Sequence, residues 1–152
     1  NSGMKRPLIG MMFCSACSTT MVHPDKATPV PPQRVFSFQQ NENPLENGKL
    51  VITRDKGIMY DAFLFGLRIN GQRAACFDQA ETGQFFVPAG EVILQMGPAS
   101  YTSTNSECMD DNTHKSDPKW TSRETTMRSK DTKYFRLLVT QGDTFDVQRF
   151  DP

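Results

Sequence analysis

The chain has 152 residues, with 17 Lys plus Arg balanced by 17 Asp plus Glu, so its net charge is zero. That balance excludes a global field drawing it to nucleic acid. No run approaches the roughly 18 apolar residues of a membrane-spanning helix, and the length suits one domain with tails.

Residues 4–17 read MKRPLIGMMFCSAC. Lys5 and Arg6 precede the short apolar run 8–13, and the small residues Ser15 and Ala16 stand before Cys17. Charge, apolar stretch and small-residue cleavage site form the pattern of a secretory signal. A cysteine directly after the small pair resembles the bacterial lipoprotein signal, with Cys14 at the place where that family usually carries Leu. The resemblance implies acylation of Cys17, which becomes the mature N-terminus and a lipid anchor. With Ser18 next, it also implies an outer-membrane lipoprotein facing the periplasm. The rivals are an accidental apolar N-terminus and a redox or metal Cys-x-x-Cys. A thioredoxin-like pair needs a strand before it and a helix after it, but here Ser18-Thr19-Thr20 and proline-rich chain follow. A zinc site needs a second closely spaced pair, and Cys76 and Cys108 stand apart.

Residues 18–47 carry Pro24, Pro29, Pro31 and Pro32 among polar residues. Such a composition favours extended, solvated chain. It reads as a flexible tether, with a short strand at 35–38 where Val35-Phe36-Ser37-Phe38 alternates.

From residue 48 to 152 the apolar period is two, and no segment shows helical recurrence. Leu50 and Ile52 alternate with Val51 and Thr53; Phe63, Phe65, Leu67 and Ile69 share a face. Asn70-Gly71 suits a type I′ turn, so residues 63–69 should pair antiparallel with 72–77. Residues 85–87 and 92–96 flank Pro88-Ala89-Gly90 and read as a further pair. A Thr-rich stretch follows at 120–127, then Phe135, Leu137 and Val139 on one face, a Gln141-Gly142-Asp143 turn, and a last strand to Phe150. Seven or eight strands joined by short turns predict an all-β fold, an antiparallel β-sandwich. Polar, unpatterned residues 97–119 interrupt it, and a loop of that length is functional or mobile.

The run from Phe65 to Met96, FGLRINGQRAACFDQAETGQFFVPAGEVILQM, resembles PEGA-type and related bacterial envelope modules. Both have a strand, Asn-Gly, a strand, an aromatic strand, Pro-x-Gly-Glu and another strand. The resemblance implies a small sandwich of surface or periplasmic proteins built on two consecutive hairpins, with no catalytic residues.

Signals for chemistry are sparse. His23 and His114 are the two near-neutral bases, and no Gly-x-Ser-x-Gly elbow is present. The acidic run 110–117 lacks the Gly and terminal Glu of a calcium loop, so no metal ligands are assigned and no cofactor is expected. Exposed aromatic residues beside Arg favour protein interfaces, which makes Tyr101, Trp120, Arg123 and Arg128 the partner-binding candidates. A core position is the commoner role for a tryptophan at a strand start such as Trp120. Once Cys14 leaves with the signal and Cys17 carries lipid, Cys76 and Cys108 form an even pair that an oxidising periplasm would join. Two separate thiols are the alternative.

These observations lead to the expectation of a non-catalytic periplasmic lipoprotein that binds or helps assemble envelope protein partners. No nucleic-acid partner or small-molecule substrate is evident. Two alternatives stand beside it: a periplasmic enzyme inhibitor acting through the 97–119 loop, and an unrecognised carboxylate-based hydrolase, which would need two close carboxylates with raised pKa values.

Overall fold

The computed structural model describes residues 19–57, 63–99, 108, 120–140, 142 and 144–152. Its strands in chain order are β1 (Thr28–Pro29), β2 (Gly48–Arg54), β3 (Leu64–Ile69), β4 (Gln72–Phe77), β5 (Glu81–Val87), β6 (Gly90–Ala99), β7 (Thr121–Met127), β8 (Thr132–Thr140) and β9 (Thr144–Phe150). They form a first sheet in the order β1-β5-β2-β8-β9 and a second in the order β4-β3-β6-β7. The all-β sandwich expected from the period-two pattern is the observed fold. Two neighbour pairs run parallel, β1 with β5 and β2 with β8.

The core lies between the sheets. Leu50, Ile52, Phe85, Phe135 and Phe145 from the first sheet meet Phe65, Leu67, Phe77, Leu94 and Met96 from the second, all at most 1% exposed. Each such side chain contributes roughly 1.5–3 kcal/mol by leaving water. The rings of Phe65 and Phe145 meet edge to face across the layer, 5.2 Å between centroids.

The β3–β4 hairpin forms as its turn residues predict: Ile69 pairs with Gln72 around Asn70 (φ 52°) and Gly71 (φ 77°). These are the two left-handed positions that a type I′ turn needs. The strands around Pro88-Ala89-Gly90 behave differently. They do not pair with each other, since β5 belongs to the first sheet and β6 to the second. The connection is an arch across the sandwich, and the expected second hairpin is corrected accordingly. Val87 and Val92 point into the same core from opposite sheets. Alternation reports only the face that a side chain occupies, so it is identical for an arch and a hairpin.

The expected solvated tether is also corrected for residues 19–47. Thr20 bridges Lys56, β1 pairs with β5, Val30 is buried in the core and Val35 bridges Ala75. The short strand expected at 35–38 reduces to that single bridge. Proline supplies no donor at Pro29, Pro31 or Pro32, but the backbone N–H groups of Thr28, Val30 and Phe36 donate to Ala80, Thr82 and Ala74 at 2.8–2.9 Å. Edge hydrogen bonds and burial therefore hold a segment whose composition alone predicts disorder.

The register gives the sandwich two distinct ends. At one, β2 finishes, β3 begins, residues 78–80 join β4 to β5, and β6 finishes at Ala99 opposite Leu64. There Arg54, 1% exposed, crosses between the sheets. Its Nη1 donates to the carbonyls of Phe63 and Phe77, both at 2.8 Å, and its guanidinium lies 3.5 Å from the centroid of the Phe65 ring. At the other end lie the Asn70-Gly71 turn, the Pro88-Ala89 arch and the start of β2.

Candidate binding groove

Two of the sequence-assigned residues come together as a covalent pair. Cys76 and Cys108 are disulfide-bonded, with Cα atoms 6.0 Å apart. The bridge packs with Leu64 and Ala99 in a small second cluster. Nearby, the Trp120 indole lies against Gly66 and Gly97 of β3 and β6, where a Cβ on Gly97 would come within 2.4 Å of the ring. The disulfide covers Leu64 and the indole covers Gly66, on the face turned away from Phe65, Leu67 and Ile69, so every residue of β3 is buried.

Among the described residues, the other candidates do not converge on one surface. Trp120 is half-buried and neighbours Arg68, whose guanidinium is 6.0 Å from the ring. Arg123 is 45% exposed and donates to Asp146 at 2.9 Å. Arg128 is exposed just beyond the opposite end of β7. Tyr101, Cys17, the signal segment 1–17, and the 97–119 loop apart from residues 97–99 and Cys108 lie outside the described residues.

Sequence reasoning missed the site that the fold does assemble. After the 3-10 turn Pro32–Arg34, the chain runs along the edge of the second sheet: Val35 bridges Ala75, and the Phe36 N–H donates to the Ala74 carbonyl at 2.8 Å. It then crosses to the first sheet. The Phe86 N–H donates to the Phe38 carbonyl, and Gln39 Nε2 donates to the Gln84 carbonyl, both at 2.8 Å. The crossing requires Phe38 at φ 64°, a left-handed conformation that is strained for a bulky side chain and persists only where surroundings enforce it.

The enforcement is visible on either side of the strained residue. Arg34, 7% exposed, makes a bidentate pair with Glu81 (2.6 and 2.8 Å) and also donates to the Cys76 carbonyl at 3.0 Å. The guanidinium of Arg73 stacks 3.5 Å from the centroid of the Phe36 ring. The Ser37 hydroxyl donates to the Arg73 carbonyl.

The result is an open groove of about 540 Å³. It is lined by Phe36, Phe38 and Phe86 together with Gln40, Glu42 and Asn43; Phe36 is exposed, whereas Phe38 is half-buried and packs against the core. Rings offer flat apolar contact, and carboxamides both donate and accept hydrogen bonds. The sequence signal was the Val-Phe-Ser-Phe alternation beside an amide-rich run, which reads equally as one short strand.

The buried carboxylates Asp55 and Glu81 are both engaged by arginine, Asp55 by Arg136 and Glu81 by Arg34. No three His, Cys, Asp or Glu side chains among those residues stand close enough to hold a metal ion. Compared with models of known protein families and with curated proteins, the chain matches none.

Proposed function

We propose that this protein is a non-catalytic lipoprotein of the bacterial envelope, anchored through Cys17 at the outer membrane and facing the periplasm, which binds a protein partner. The Phe36–Phe38–Phe86 groove seats an extended segment of that partner. The observation that carries this reading is the groove itself, where exposed Phe36, half-buried Phe38 and Phe86 and nearby carboxamides are held in place by a left-handed crossing and a buried ion pair. An extended peptide presents alternating side chains to rings and a free backbone to carboxamides, which is the chemistry the groove offers.

A photo-crosslinking residue placed at Phe36 or Gln40 in living cells tests it. One discrete protein adduct is expected from both positions, and none from a control at Ser122 on β7. The inhibitor reading is favoured by one observation, the disulfide that joins Cys108 of the 97–119 stretch to Cys76. Adducts from Tyr101 but not from Phe36 or Gln40 would transfer the binding site to that loop.

A further inference from the structure

The anchor and the fold are joined by very little chain. One residue, Ser18, separates Cys17 from Thr19, and two residue steps span at most about 7 Å. Thr19 is itself fixed. Its hydroxyl donates to Asp55 Oδ2 at 2.8 Å, and Asp55 is 2% exposed and gripped by Arg136. The next residue, Thr20, exchanges both backbone hydrogen bonds with Lys56, at 2.7 and 2.9 Å.

We infer that the Asp55 end of the sandwich rests directly on the lipid surface that holds the Cys17 acyl chains. This inference rests on the lipoprotein reading above. With a lipid on Cys17, only about 7 Å of backbone and the cysteine side chain separate the domain from the anchor while the Thr19 and Thr20 contacts hold. The surface at this end suits the contact. Of four large apolar side chains exposed among the described residues, two belong to it: Met21, 49% exposed beside the Thr20–Lys56 bridge, and Phe63, 41% exposed, whose carbonyl accepts from Arg54. Exposed Lys56 stands between them in the chain and offers a cation to phosphate headgroups.

The orientation separates two surfaces. Ala99, where β6 leads into the long polar stretch, lies at the lipid end opposite Leu64. The Pro88 edge of the groove points away from the lipid, because β5 runs from Glu81 near Lys56 to Val87 beside Gly48. The ten-residue strand β6 sets the two ends roughly 30 Å apart at about 3.3 Å per residue. A partner in the groove is therefore met on the aqueous side.

The test uses the full chain with Cys14→Ser, which leaves Cys17 as the one thiol outside the disulfide, coupled to a maleimide phospholipid in phosphatidylethanolamine and phosphatidylglycerol vesicles. A fluorescent amino acid replaces Met21, Phe63 or Ala89 in turn, and nitroxide headgroup lipids act as quencher. Several-fold stronger quenching at positions 21 and 63 than at 89 is expected. A Gly-Ser spacer of about twelve residues after Ser18, which restores slack, should bring position 63 down toward position 89. Equal quenching at all three positions, or strongest quenching at 89, overturns the inference. Mass spectrometry of the exported native protein keeps the two readings apart. An unacylated Cys17 overturns the anchor, and with it the native orientation, whereas an acylated Cys17 with uniform quenching overturns the orientation alone.

Discussion

Arg34 and Glu81, 47 residues apart in the chain, meet in a bidentate ion pair with both side chains at most 10% exposed. The pair locks a proline-rich segment to the start of β5, where Glu81 Oε1 also accepts from the Asp78 N–H at 2.6 Å. Removing one partner of a buried pair leaves the other charged and desolvated, which costs roughly 3–5 kcal/mol. Glu81→Ala should lower urea-unfolding stability by about that amount, whereas the double change Arg34→Met with Glu81→Leu should lose much less. Amide hydrogen exchange at Phe36 should accelerate in the single variant. A stability loss under about 1 kcal/mol would place the pair among exposed ones in its worth.

Gly97 and Trp120 predict an optical result. A methyl group on Gly97 would overlap the indole at 2.4 Å, while one on Gly66 meets it at 3.1 Å. Gly97→Ala should therefore displace the ring and destabilise the fold by about 1–3 kcal/mol, the usual range for overpacking. Gly66→Ala should cost less. Trp120 is the sole tryptophan of the chain, so its emission reports the displacement directly: a red shift is expected in the Gly97 variant and a smaller one in the Gly66 variant.

The Cys76–Cys108 bridge, spanning 32 positions, should contribute roughly 3–4 kcal/mol through lost chain entropy in the unfolded state. Cys76→Ala with Cys108→Ala should lower the denaturation midpoint by the corresponding amount. Reductant should shift protein exported to an oxidising compartment by a similar amount and leave the double variant unmoved. An equal response of both proteins to reductant would count against the bridge as the source.

Asp146 predicts a pH effect. Partial burial by itself raises its carboxyl, but hydrogen bonds from Gln148, Arg123 and the Val147 N–H, together with the Arg123 charge, outweigh burial and hold it below the ordinary 3.8. A depressed folded-state value stabilises fully above the unfolded value and is lost as pH falls through the folded one. The contribution should thus be complete at neutral pH and fade below about pH 4. Because Arg123 is 45% exposed, Arg123→Ala should cost no more than about 0.5 kcal/mol. The difference between variant and parent should shrink on acidification; a constant difference from pH 7 to pH 2 would show that Arg123 acts through packing.

Much of the fold was legible in local pattern. Asn70-Gly71 allows a tight primed turn, and alternation at Phe65, Leu67 and Ile69 shows which side chains face inward, because adjacent residues on a strand point to opposite faces. Little of the groove was legible. Phe36 and Phe38 lie in a stretch whose composition favours solvated chain, and nothing local shows that Phe38 adopts a left-handed conformation.

By itself, then, the sequence determined that the chain is built of strands, where its β3–β4 and β8–β9 turns fall, and that two cysteines in the sandwich domain were available to pair. Tertiary structure alone decided that β5 and β6 part into different sheets, that β2 lies parallel to β8, and that residues 19–47 dock instead of trailing. The physical reason is that period and turn chemistry act within a few residues, whereas a strand's neighbour depends on contacts between distant segments. Glu81 and Arg34 lie 47 residues apart in the chain, and no local property of either residue records that meeting.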